Sequence, residues 1–151
     1  MDSRTIAEAE FARRLLPLAR RWRAVADRAT AAFGLSDATG WVLLHVGRLG
    51  DGVRQTELAG ALDIQGASLV RLIDQIERAG LVERRVDAGD RRVNHVFLTA
   101  AGKTTVVEIE QALHTFRREL FEGIADTDLA TANAMLALLD QRVTARRGGD
   151  R

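Results

Sequence analysis

Two groups of polar side chains have the types and spacing to do chemistry. Ser68, Arg71, Gln75 and Arg78 recur at intervals of three, four and three, which on a helix places them along one arc. A serine near a helix start can bond a phosphate oxygen beside free backbone N–H groups. Arginine and glutamine one turn apart can reach base edges in a major groove. Gln65, where the same helix begins, joins these candidate contacts. The second group is the run Asp87-Ala88-Gly89-Asp90-Arg91-Arg92. Arg91 and Arg92 are suited to a narrow minor groove, where A·T tracts focus negative potential, and Asp90 can hold a guanidinium in register.

Other chemistries find less support. Gly102-Lys103-Thr104 resembles the end of a phosphate-binding loop, but Phe97 stands where that loop needs its first glycine. His45, His95 and His114 are scattered, with no second ligand close in sequence, so no metal site is expected. Without cysteine, disulfides, thiolate metal sites and thiol redox switching are excluded. No Ser/His/acid or paired-carboxylate pattern stands in a supporting context, so neither an enzyme nor a cofactor is expected. The net charge is +1, and residues 54–92 hold seven arginines against seven acids. Bulk positive charge therefore cannot drive nucleic-acid binding; the placement of individual arginines must. A helical interaction protein that dimerises without binding DNA is the competing reading.

The elements that would position these groups follow from periodicity. Phe11, Leu15, Leu18, Trp22, Val25 and Ala29 form one stripe on a helix from about residue 5 to 33. Pro17 predicts a kink or a late start within it, and Gly34 an end. A second helix runs from a cap at Ser36 or Asp37 to Gly50-Asp51-Gly52. Leu58, Ala59, Leu62 and Ile64 outline a short helix and its exit. The longer helix from Gln65 to Ala79 packs Leu69, Leu72, Ile73 and Ile76 and closes at Gly80. Val82 to Val86 and Val93 to Leu98 read as a hairpin whose exposed, basic tip is the second group above. Thr99 can cap a helix with the stripe Val106, Ile109, Leu113, Phe116, Leu120 and Ile124. Asp126 or Thr127 can cap a last helix bearing Leu129, Ala132, Leu136, Leu139 and Val143. Long amphipathic helices at both ends would leave apolar faces in water unless they paired, which makes a helical dimerisation module the economical reading. No apolar run approaches the roughly 18 residues of a membrane span, so a soluble, cytoplasmic protein is expected.

Helix, tight turn, second helix with a polar arc, then a basic-tipped hairpin is the order of a winged helix-turn-helix. The stretches LSDATGWVLLHV, QTELAGALDI, GASLVRLIDQIERAGLVERR, DAGDRR and VFLTAAG resemble, in order and spacing, the MarR/SlyA family of regulators. The resemblance implies a mainly α fold with a small β-hairpin over 1–151. It divides into dimerisation helices at about 5–33 and 99–145 and a winged DNA-binding region at about 36–98. It further implies a homodimer on a palindromic double-stranded operator, with winged regions in major grooves roughly 34 Å apart. A ligand-released repressor is the expected function. By position, Ser68 and Arg71 fall on recognition-helix contacts, and Asp90 with Arg92 on the wing's Asp-x-Arg pair. Arg54 stands where the family often has a capping Ser or Thr, so another group is expected to cap that helix.

The family's effectors, often aromatic acids or their coenzyme A thioesters, lie between the dimerisation helices and the winged region. Here Arg20, Trp22 and Arg23 on the first helix and Trp41, His45 and Arg48 on the second are the candidates. An aromatic ring against tryptophan with its anion on arginine or histidine is sensible chemistry. Plain packing of Trp22 and a solvated arginine face are the simpler alternative. A phosphate-bearing ligand would favour residues 13–28, where six arginines face one acid, Asp27.

Overall fold

The computed structural model describes residues 2–149. Six helices and three strands follow in the order α1 (Ser3–Ala31), α2 (Asp37–Leu49), β1 (Val53–Arg54), α3 (Gln55–Leu62), α4 (Gly66–Arg78), β2 (Val82–Val86), β3 (Asn94–Leu98), α5 (Ala100–Leu120) and α6 (Asp126–Gly149). The chain forms two compact units, one running to Phe116 and one beginning at Arg117.

α2 is the axis of the first unit. Val42, Leu43, Leu44 and Val46 are all buried, so more than half of its circumference is covered, as in a helix flanked by others on several sides. Ser36 is the N-cap, its Oγ accepting the Thr39 N–H. Around α2 gather Ala26, Leu58, Leu69, Ile73, Ile76, Val82, Val96, Ile109 and Leu113. Gly47 lets α5 approach closely, since a Cβ there would lie 2.7 Å from the Val106 side chain.

The first helix departs from expectation in two ways. It begins at Ser3, where the Asp2 carboxylate accepts the Thr5 N–H at 2.8 Å, and continues through Pro17, so the late start does not occur. Its stripe is also not one buried face: Phe11 and Trp22 are half-buried, whereas Leu15, Leu18 and Val25 are exposed. Ala26, outside the stripe, is fully buried instead. α1 packs on α2 near its C-terminal half, and a short side chain is what close approach admits there. The Ala29 side chain lies outside the described residues.

Two short helices precede the sheet. The Glu57 carboxylate accepts the Arg54 N–H at 3.1 Å, supplying the cap that Arg54 cannot provide for α3. α3 stops at Asp63, whose φ of 51° is left-handed, a conformation aspartate tolerates better than most residues. Gln65 then opens α4.

The strands form one antiparallel sheet in the order β1-β3-β2. The register pairs Arg84 with Val96 and Arg85 with His95 on one side of β3, and Arg54 with His95 on the other. β1 has only two residues, too few to leave a periodic signal in the sequence, so the hairpin is in fact the larger part of a three-stranded sheet. Val93 lies outside β3, its N–H bonding the Asp90 carbonyl at 2.9 Å to close the tip. No described helix is long and apolar enough to cross a membrane.

Candidate nucleic-acid interface

α4 buries Leu69, Ile73 and Ile76 and turns Gln65, Ser68, Arg71, Gln75 and Arg78 to solvent. The Gln65 side chain makes no capping bond to the first turn of α4, whose Ser68 N–H is taken by the Gln65 carbonyl at 3.0 Å. Gln75 differs from the rest of the arc. It borders a groove of about 180 Å³ shared with Gly34, Leu35, Ser36 and Thr39.

The even charge balance of residues 54–92 resolves into two populations. Asp74 and Glu77 on α4 both hold Arg84 of β2, at 2.7 and 2.5 Å. Glu83 holds Arg85, which also lies 4.3 Å over the Phe97 ring. Asp87 bonds His95 and the turn amides of Gly89 and Asp90. The acids are thus engaged locally, while Arg71, Arg78 and Arg91 are exposed with no ion-pair partner among the described residues. Arg92 is 95% exposed in its side chain, its Nε 4.0 Å from Asp90. Asp90 bonds the Arg92 backbone N–H more closely, at 2.9 Å, so it sets the path of the chain more than the direction of the guanidinium.

The Arg84 clamp joins the outward helix to the wing, and residue spacing alone did not single it out. Its signal is the alternation of Val82 with Arg84: an arginine half-buried on the covered face of a strand calls for an ion partner, and the partly exposed acids at 74 and 77 supply it. His95, set aside above as a metal ligand, is also firmly engaged. Its Nδ1 lies 2.7 Å from the Gly52 carbonyl and its Nε2 2.9 Å from Asp87. These acceptors raise the imidazole above its ordinary value, the Gly52 bond first and Asp87 next, and Asp87 is lowered by the Gly89 N–H first and by His95 next.

The six candidate ligand residues do not form one cluster. Asp27 accepts the Trp41 Nε1–H at 2.5 Å and the Arg23 Nε–H at 2.9 Å, and the Arg23 guanidinium lies 4.2 Å over the Trp41 ring. His45 Nδ1 donates to the Trp41 carbonyl at 2.8 Å, which leaves Nε2 directed elsewhere. Arg48 is instead paired with Glu110 at 2.7 Å, and Trp22 packs edge-on against Phe116 at 5.2 Å. Arg20 is exposed. Lys103, the residue of the discarded phosphate loop, pairs with Asp51 at 2.7 Å.

Residues 33–93 match a MarR family model. Among solved structures, the transcriptional regulator PA3341 is 34% identical with a TM-score of 0.82, over 89% of this chain and 98% of that one. A MarR transcriptional regulator from Methanosarcina mazei Go1 has a TM-score of 0.79 at 23% identity, covering 90% and 98% of the two chains. The MepR–DNA complex of S. aureus gives 0.72 at 21% identity, covering 83% and 92%. With the helix-turn-helix and wing in place and this likeness extending beyond them, the chain belongs to the MarR family of winged-helix transcriptional regulators.

Proposed function

We propose that the chain binds a palindromic double-stranded operator as a homodimer, acts as a repressor, and is released by a small aromatic acid or its coenzyme A thioester. The observation that carries the DNA reading is the separation of charges: the local acids are engaged, and free guanidiniums remain on α4 and at the wing tip. α4 would enter the major groove with Gln65, Ser68, Arg71 and Gln75, while Arg91 and Arg92 track the minor groove and Asp90 shapes their turn. The MepR structure, with DNA bound, supports this use of the fold.

Dimerisation is supported by apolar side chains left in water. Leu15, Leu16 and Leu18 on α1 are between 39% and 63% exposed, and Leu136, Leu138 and Val143 on α6 between 45% and 57%. Several large apolar side chains exposed on the same long helices are what a pairing surface would cover. The effector reading rests on Arg23, Trp41 and His45, where a flat aromatic face, a cation and a ring nitrogen lie together. Arg48, Trp22 and Arg20 would contribute only after leaving their present surroundings or through a longer ligand.

A DNA duplex selected by the protein from a random pool tests the operator, dimer and effector parts. A two-fold-symmetric consensus bound by two chains is expected, with release on titration by benzoate-type acids or their coenzyme A thioesters. Selection of no duplex would end the DNA reading, and retention of DNA with both ligand classes would end the effector reading.

A further inference from the structure

We infer that His95 is a positioning residue for the wing: its protonated imidazole ties the wing tip to the turn before β1, and DNA affinity falls as that proton is lost. The geometry requires a doubly protonated ring. The Gly52 carbonyl can only accept a hydrogen bond, and so can the ionised Asp87 carboxylate, yet each faces a ring nitrogen at 2.7 and 2.9 Å. A neutral imidazole has one N–H and would set its bare nitrogen against an oxygen lone pair at one of the two contacts.

The consequence reaches the arginines through a short relay. The other oxygen of Asp87 accepts the N–H groups of Gly89 at 2.7 Å and Asp90 at 3.1 Å, and Asp90 accepts that of Arg92 at 2.9 Å. At the opposite end, the Gly52 N–H bonds the Val96 carbonyl at 3.1 Å, so the tie closes across the whole sheet. The charged groups around the ring are few. Arg54 of β1 and Arg85 of β2 are its cross-strand neighbours; Arg54 opposes protonation, and Arg85 is held by Glu83. Asp51, beside Gly52, is occupied by Lys103. Asp87 is the acid in direct contact.

The sign follows from the directions of the two shifts. His95 is raised, so its contribution is complete below the ordinary imidazole value of 6.5 and is lost as pH climbs through the raised value. Asp87 is lowered, so its contribution is complete above the ordinary carboxylate value of 3.8 and is lost as pH falls through the depressed one. The tie therefore holds from mildly acidic conditions to somewhat above the usual imidazole range.

The DNA consequence rests on the reading proposed above, whereas the tie itself does not, and the test separates them. Wild type, Asp87→Asn and His95→Gln are compared from about pH 5.5 to 9 at constant ionic strength. The readouts are the NMR titration of His95, hydrogen-exchange protection of the Gly89 and Asp90 amides corrected for the intrinsic rate, and affinity for the selected duplex. Wild type should lose protection and roughly three- to tenfold in affinity as His95 titrates. In Asp87→Asn the amide oxygen can keep the turn contacts while its N–H₂ donates to the neutral ring, so both profiles should flatten at the high-affinity end. His95→Gln should be flat and weaker. Unchanged protection in wild type through the His95 titration overturns the inference, as does a wild-type slope surviving in either variant. Absence of DNA binding at every pH would overturn the DNA reading, with the protection profile still deciding the tie.

Discussion

The backbone of Gly102 lies so close to the carbonyl of Leu81 that a Cβ built on the glycine would stand 1.9 Å from the oxygen. That carbonyl also accepts the Thr99 N–H at 3.1 Å, and Thr99 Oγ1 donates to the Gly80 carbonyl and accepts the Gly102 N–H. The Thr-x-x-Gly end of the wing is thus a joint between the close of α4 and the start of α5. Gly102→Ala should destabilise the protein by roughly 1–3 kcal/mol, because a backbone atom cannot swing aside as a side chain can. Thermal unfolding reads this as a fall of about 2–4 °C per kcal/mol in a chain of this size. An unchanged Tm would show that the joint yields.

Gly60 provides the contrast. It lies inside α3, and a Cβ there meets nothing within 4 Å. Gly60→Ala should raise stability by roughly 0.5–1 kcal/mol through helix propensity and a less flexible unfolded chain. A loss on the same melting assay would mean that α3 needs that space.

Arg84 links α4 to the wing. Arg84→Met keeps the aliphatic stem and leaves Asp74 and Glu77 facing one another without a cation. Both acids are about a third exposed, so solvent screens part of the repulsion, and about 1 kcal/mol of stability should be lost. Urea unfolding should show a lower midpoint with an unchanged slope. Arg84→Lys should recover only part of the loss, since an ammonium cannot present a fork to two carboxylates. Full recovery by lysine would reduce the clamp to simple charge.

These positions also show what was legible in the sequence. The helices and hairpin were, because α4, α5 and the wing strands carry strong periodicity over enough residues to average out exceptions. The outward arc from Ser68 to Arg78 was legible for the same reason. Three things were not. β1 is too short to have a period; the α1 stripe mixes half-buried and exposed residues in a way that depends on what covers it. Which acid takes which cation is a matter of tertiary contact: Arg48 lies one turn from His45, yet pairs with Glu110 across 62 residues. Spacing gathered the six candidate effector residues on two helices, and packing then drew Trp22 and Arg48 toward α5.

Asp27 organises what remains of that cluster. It holds both the Trp41 indole and the Arg23 guanidinium, so Asp27→Ala should free the two side chains together and weaken binding of an aromatic acid by about 1–2 kcal/mol. Tryptophan emission during titration reports it, with Trp22→Phe as the background that isolates Trp41. Equal affinity in the presence and absence of the Asp27 carboxylate would move the effector elsewhere.

Arg71 and Arg92 should fail in different ways when removed. Arg71 lies exposed on the outward face of α4, at the middle of the helix, where a bidentate contact to a guanine edge is within its reach. Arg71→Ala should weaken binding to the selected duplex by about 1–3 kcal/mol and relax the preference at one base pair in each half-site. Arg92 is almost wholly in solvent at the wing tip, where the electrostatic term dominates. Arg92→Ala should weaken binding to selected and scrambled duplexes alike and reduce the slope of log affinity against log salt by about one for each wing engaged. Fluorescence anisotropy over a salt series with both duplexes distinguishes the patterns. Should Arg71→Ala weaken the two duplexes equally, α4 would be gripping the backbone and base reading would have to lie elsewhere on the helix, with Gln65, Ser68 and Gln75 the side chains next in reach.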